Sequence, residues 1–128
     1  MRLLLDTHAL LWFVTSDPKL SLTAQQVIAN PNNQKLVSLV SLWEIAIKHS
    51  LGRLDLQMPL PDFVRQHLAP KRIAVLQITV PHILKVATLP HHHRDPFDRL
   101  LIAQTLTENV SLVSADSAFA QYGVQLIW

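Results

Sequence analysis

Arg2-Leu3-Leu4-Leu5-Asp6-Thr7-His8-Ala9-Leu10-Leu11-Trp12 reads as a short buried strand that ends on a carboxylate and runs at once into a helix. A carboxylate at the C-terminal end of such a strand stands where open α/β sheets build their sites. Three more acids hold comparable places. Glu44 follows the apolar segment Leu36 to Val40, Asp98 lies in His93-Arg94-Asp95-Pro96-Phe97-Asp98-Arg99, and Asp116 follows the strand-like Val110 to Ser114. The chain holds only nine Asp and Glu residues, so four of nine at strand exits and helix starts point to one shared acidic site. Two carboxylates about 4 Å apart repel by about 4 kcal/mol at an effective dielectric near 20, so a cluster of four calls for a cation or shared protons.

Outward from this first unit, strands and helices alternate. Thr7 is placed to cap a helix through Val14 that stops near Ser16-Asp17-Pro18, because Pro18 cannot extend it. A second helix is expected from Ser21 to Asn30, and Pro31-Asn32-Asn33 turns into a strand over Lys35 to Ser38. Ser41-Leu42-Trp43-Glu44 opens a helix to Leu51, with Gly52 as its left-handed stop. After a Pro-bearing connection, Pro61 to Leu68 reads as helix, Ile73 to Ile78 as strand, Val80 to Ala87 as helix and Leu89 to Arg94 as loop. Asp95 then caps a helix with Pro96 in its first turn and Asn109 at its end. Val110 to Ser114 is a strand, Ser117 to Gln121 a helical turn, and Val124 to Ile127 a last strand. Strands separated by helices imply an α/β fold with a parallel sheet covered on both faces.

Composition narrows the chemistry. The 128 residues fit a single domain, 1–128, able to bury roughly 65–70% of its unfolded surface. With no cysteine, disulfides, thiolate metal sites and thiol catalysis are excluded, so any metal is held by oxygen or imidazole. Two glycines are too few for a Gly-rich phosphate cradle. The net charge of +2 and pI near 9.3 permit a polyanionic substrate without requiring one. A mean hydropathy of +0.23 with 49% hydrophobic residues suggests apolar surface covered by a partner. No run is long enough for a membrane span and no signal pattern follows Met1, so a cytoplasmic location is expected.

Each acid also has a purely structural reading. Glu44 is the third helical residue of a Ser41-x-x-Glu44 capping box, a role that can coexist with catalysis. Asp95, directly before Pro96, reads as an N-cap that supports the site rather than joins it. Asp98 in the next turn would interact favourably with the helix dipole, and Asp116 would be a polar turn residue. Asp6 has the weakest structural alternative, since it has no helix to cap unless one begins at Thr7. His91, His92 and His93 are adjacent and read as a solvated loop. Trp12, Phe13, Trp43 and Phe97 read as core, with one of the adjacent Trp12 and Phe13 near the surface.

Four segments in order, Leu4 to Trp12, Val40 to Lys48, Asp95 to Gln104 and Val113 to Asp116, together resemble the PIN-domain family over nearly the whole chain. The resemblance is strongest to the VapC-type toxins of type II toxin–antitoxin systems. It implies a three-layer α/β/α sandwich with strand order 3-2-1-4-5, which sets Asp6 and Asp116 side by side where the order reverses. It makes Asp6, Glu44, Asp98 and Asp116 the catalytic, metal-binding quartet, with Thr7 and Ser114 as polar supports. The implied activity is hydrolysis of RNA phosphodiester bonds with Mg²⁺ or Mn²⁺, on single-stranded or looped RNA. Arg94 and Arg99 are the nearest cations in sequence for the phosphate backbone, Arg99 having a surface ion pair with Asp98 as its alternative. The implied partners are the RNA, a cognate antitoxin and a second copy of the chain.

Other functions fit less well. An aspartyl phosphatase would want a second acid two residues after Asp6, where His8 stands. A receiver module would want a carboxylate ending the third strand, where Gln77-Ile78-Thr79 has none. A nuclease-derived binding module is opposed by the intact acids.

Overall fold

The computed structural model describes residues 1–128. Its five strands, β1 (Arg2–Leu5), β2 (Gln34–Ser38), β3 (Ile73–Leu76), β4 (Ser111–Val113) and β5 (Gln125–Ile127), form one sheet in the order β3-β2-β1-β4-β5. Every pairing is parallel, with Leu4 opposite Leu36 on one side and Leu112 on the other. The expected strand order and sandwich are therefore borne out. Six α-helices join the strands: α1 (Thr7–Val14), α2 (Leu22–Ala29), α3 (Leu39–Ser50), α4 (Leu60–His67), α5 (Val80–Val86) and α6 (Pro96–Glu108).

Period-2 alternation along the strands sorts the core into two layers. Leu3, Leu5, Val37 and Val113 pack with Leu10, Ile28 and Phe63 on one face, while Leu4, Leu36 and Leu112 pack with Leu101, Ile102 and Phe119 on the other. A buried side chain of this size contributes about 1.5–3 kcal/mol relative to exposure, and Leu3, Leu4 and Leu5 are all fully buried. Helix α3 gives Val40 to one layer and Ile45 to the other, so it bridges them at the strand ends.

Three local expectations change. Asp6, not Thr7, caps α1: the helix begins at Thr7, and the Asp6 carboxylate accepts the Ala9 amide at 2.7 Å. Helix α3 begins at Leu39, capped by the Ser38 hydroxyl, which accepts the Val40 amide at 3.0 Å. Ser41 is then inside the helix and the Ser41–Glu44 capping box does not form. Trp43 is not core. It is 57% exposed and lies edge-on to Phe97. The helix stops at Gly52 and Asn109 are as expected, both with positive φ.

Candidate active site

Where the sheet order reverses, β1 and β4 run side by side and release their next residues together. The Asp6 amide still donates to the Val113 carbonyl at 3.1 Å, so the chain beyond β1 stays tied to β4. Asp6, Glu44 and Asp98 line one crevice of about 170 Å³ with Thr7, Lys48 and Asp95. Asp116 stands beside Asp98 at its edge. Oxygens of Asp98 and Asp116 and a ring nitrogen of His93 all lie within 4.8 Å of one another. The four acids expected at one place are thus neighbours.

Their surroundings differ in ways that set their chemistry. Asp6 is buried, which pushes its carboxyl above the usual range; the Ser114 hydroxyl, the Ala9 amide and His8 act the other way, and Glu44 adds to the rise. Asp98 is pushed up to about 6, first by burial and then by the charge of Asp95, with Glu44 and Asp116 adding and His93 opposing. As the first-turn acid of α6, Asp98 gains from the helix dipole about 0.3–1 kcal/mol in favour of ionisation.

Glu44 is held at both oxygens. The Thr7 hydroxyl donates to Oε1 at 2.6 Å and the Lys48 ammonium to Oε2 at 3.0 Å, which puts Thr7 in direct contact with Glu44. Asp95 is the N-cap of α6, accepting the Phe97 and Asp98 amides at 2.7 and 3.2 Å, and its charge still reaches Asp98. Ser114 is fully buried and accepts the Asp116 amide at 3.1 Å, fixing the turn after β4.

Arg99 departs from expectation. Its guanidinium donates to the carbonyls of Val86, Leu89 and Pro90, tying the end of α5 to α6, and it pairs neither with Asp98 nor with the crevice. Arg94 is exposed. Lys48 was not singled out from the sequence, although its position four residues after Glu44 on one helix was the available signal. His93 also differs from the solvated loop expected of it. Its ring is 9% exposed, stacks on Phe119 at 4.7 Å and meets Asp116 Oδ2 at 2.9 Å, whereas His91 and His92 are exposed. No local spacing marks this, because Phe119 and Tyr122 reach His93 only through the fold.

The donor set fits a hard divalent cation. Carboxylate oxygens predominate, thiolates are absent, and the Asp6 and Asp98 carboxyls, raised first by burial and then by neighbouring acids, are groups whose charge a bound cation would favour.

Compared with known proteins, the sequence matches the PIN domain over residues 3–125. Ribonuclease VapC22 of Mycobacterium tuberculosis is 29% identical over 114 residues, covering 88% of this chain and 85% of that protein. VapBC2 from Rickettsia felis, solved bound to a DNA fragment from its promoter, superposes with a TM-score of 0.74 at 16% identity, covering 98% of this chain and 97% of that one. A toxin–antitoxin complex from Klebsiella pneumoniae gives 0.62 at 17% identity over 91% and 89%. At such identities the structural likenesses speak to the fold.

Proposed function

This chain belongs to the PIN domain family, and from that premise and its acidic crevice we propose that it is a metal-dependent ribonuclease, the toxin of a toxin–antitoxin pair. The observation that carries the reading is the meeting of Asp6, Glu44, Asp98 and Asp116 where β1 and β4 end, with the Asp98 carboxyl pushed up to about 6. A structural role gives no reason to gather these acids, whereas a bound cation offsets their repulsion. The 29% identical ribonuclease VapC22 supports the choice of RNA.

A divalent cation bound here supplies Lewis acidity toward a phosphodiester and lowers the pKa of a bound water into the neutral range. Asp6, Asp98 and Asp116 are the groups that would hold it. Glu44, fixed between Thr7 and Lys48, lines the crevice and is placed either to join them or to orient the attacking water. Lys48 brings the nearest ammonium to the crevice, and Arg94, exposed at the loop before α6, is the second cation for the phosphate backbone.

The toxin role and the partners rest on the toxin–antitoxin complexes among the structural relatives together with the exposed apolar face of α5, where Val80, Ile83 and Leu84 are 70%, 52% and 66% exposed. A cognate antitoxin and a second copy are the partners for such surface. No helix is long and apolar enough to cross a membrane, in keeping with the cytoplasmic location this role requires.

The test is cleavage of single-stranded RNA after thorough chelation. Activity should vanish, return with Mg²⁺ or Mn²⁺, and return poorly with Zn²⁺, which prefers nitrogen and sulfur donors. Cleavage that survives chelation overturns the metal-dependent reading.

A further inference from the structure

His93 links Asp116 of the acidic cluster to Phe119 and Tyr122 in the helical turn that follows β4. Its ring is 9% exposed, stacked on Phe119 with planes 21° apart, and bonded at both nitrogens. Nε2 lies 2.9 Å from Asp116 Oδ2. A carboxylate oxygen brings no proton to that contact, so the proton is on Nε2 and the imidazole donates. Nδ1 lies 3.2 Å from the Tyr122 hydroxyl, which also accepts the His93 backbone amide at 2.8 Å. With that lone pair used, the hydroxyl proton is free to point at Nδ1, which in the neutral ring is the acceptor. The bonds therefore run in one direction, from Tyr122 to His93 to Asp116.

The other Asp116 oxygen, Oδ1, accepts the Ala118 amide at 3.0 Å. Both oxygens of the most exposed acid in the cluster are thus directed by the protein, one by a backbone amide and one by His93. With Nε2 donating to Asp116, the ring presents no lone pair to a cation in this arrangement, although Nε2 lies among the candidate ligand atoms.

We infer that His93 is a positioning residue, held in its Nε2–H tautomer by Tyr122, that orients the Asp116 carboxylate for cation binding rather than ligating the cation itself. The inference rests on the metal-dependent reading of the crevice. Partners that orient a ligand in this way typically contribute about 10–100-fold in metal affinity.

The test uses the full chain, stripped of metal by chelation. Long-range ¹H–¹⁵N NMR of the histidine rings reads the tautomer directly: Nε2–H is expected at His93, and an Nδ1–H ring overturns the inference with no appeal to activity. Mn²⁺ affinity by titration calorimetry should fall about 10–100-fold in His93→Ala. His93→Gln, whose amide nitrogen can replace Nε2 as the donor to Asp116, should recover most of the loss, and Tyr122→Phe should give an intermediate one. Unchanged affinity in His93→Ala, or a His93→Gln variant as weak as the alanine, overturns the positioning role, the second result pointing to direct ligation. A wild-type chain that does not bind Mn²⁺ overturns the metal-dependent reading itself and the role that rests on it.

Discussion

Asp6 does two jobs with one carboxylate, and they separate by substitution. As the N-cap of α1 it accepts the Ala9 amide, a task asparagine performs about as well. As a buried acid its carboxyl is pushed up, and only its charge serves a cation. Asp6→Asn should therefore fold, lose Mn²⁺ binding and RNA cleavage, and melt higher than wild type in the absence of metal, since a disfavoured buried charge is gone. Full cleavage by this variant with metal present would sink the assignment of Asp6. Glu44 makes a sharper case, because the capping role open to it in the sequence is absent from the fold. Glutamine can still accept from Thr7 through one atom, but its amide nitrogen would then face the Lys48 ammonium, donor against donor. Glu44→Gln should cut turnover by orders of magnitude with a small change in melting temperature, and a fully active variant would leave Glu44 a structural residue only.

At the scale of elements, what was legible in the sequence followed from local chemistry. Leu3 to Leu5 announced a central strand, Asp95-Pro96 announced the start of α6, and Gly52 and Asn109 marked ends where the backbone turns left-handed. The start of α3 was not legible, because Leu39 and Val40 continue the apolar run of β2 and no periodicity separates a buried strand from a buried first helical turn. Ser38 decides it through contacts far along the chain, with its hydroxyl bonded to the Gln104 side chain of α6 as well as capping α3. The same limit hid the work of Arg99. Its three carbonyl acceptors lie at the end of α5 and on the loop that leads from it into the site, so Arg99→Lys should lower stability and loosen that segment, which hydrogen exchange at residues 86 to 93 would read as reduced protection. For Asp95 the local reading held, and the expectation is specific: Asp95→Ala should lose about 0.5–2 kcal/mol as a removed N-cap, and Asp95→Ser should recover most of it. A stable but inactive Asp95→Ser protein would move Asp95 from a supporting residue into the catalytic set.

For the molecule as a whole, the acidic crevice makes stability depend on pH and metal together. Asp98 has its folded-state carboxyl raised from 3.8 to about 6, and Asp6 is raised as well. A raised acid binds its proton more tightly in the folded chain than in the unfolded one, so folding is favoured by protonation. That contribution is complete below about pH 3.8 and is lost as the pH climbs through about 6. In metal-free protein the Asp98 carboxylate therefore lowers stability at neutral pH and does not at pH 4. Other carboxylates titrate over the same range, so the clean comparison is wild type against Asp98→Asn at each pH. The variant should be the more stable of the two at pH 7.5, with the gap closing as the pH falls through about 6 toward 4. Saturating Mn²⁺ should reverse the order at pH 7.5, since a ligand at a hundredfold excess over its Kd adds about 2.7 kcal/mol to the protein that binds it, on the order of 10 °C in melting temperature for a chain of this size. Thermal melts of the two proteins with and without Mn²⁺ across this range check both signs, and a gap that does not change with pH would mean that burial and the neighbouring acids do not govern Asp98.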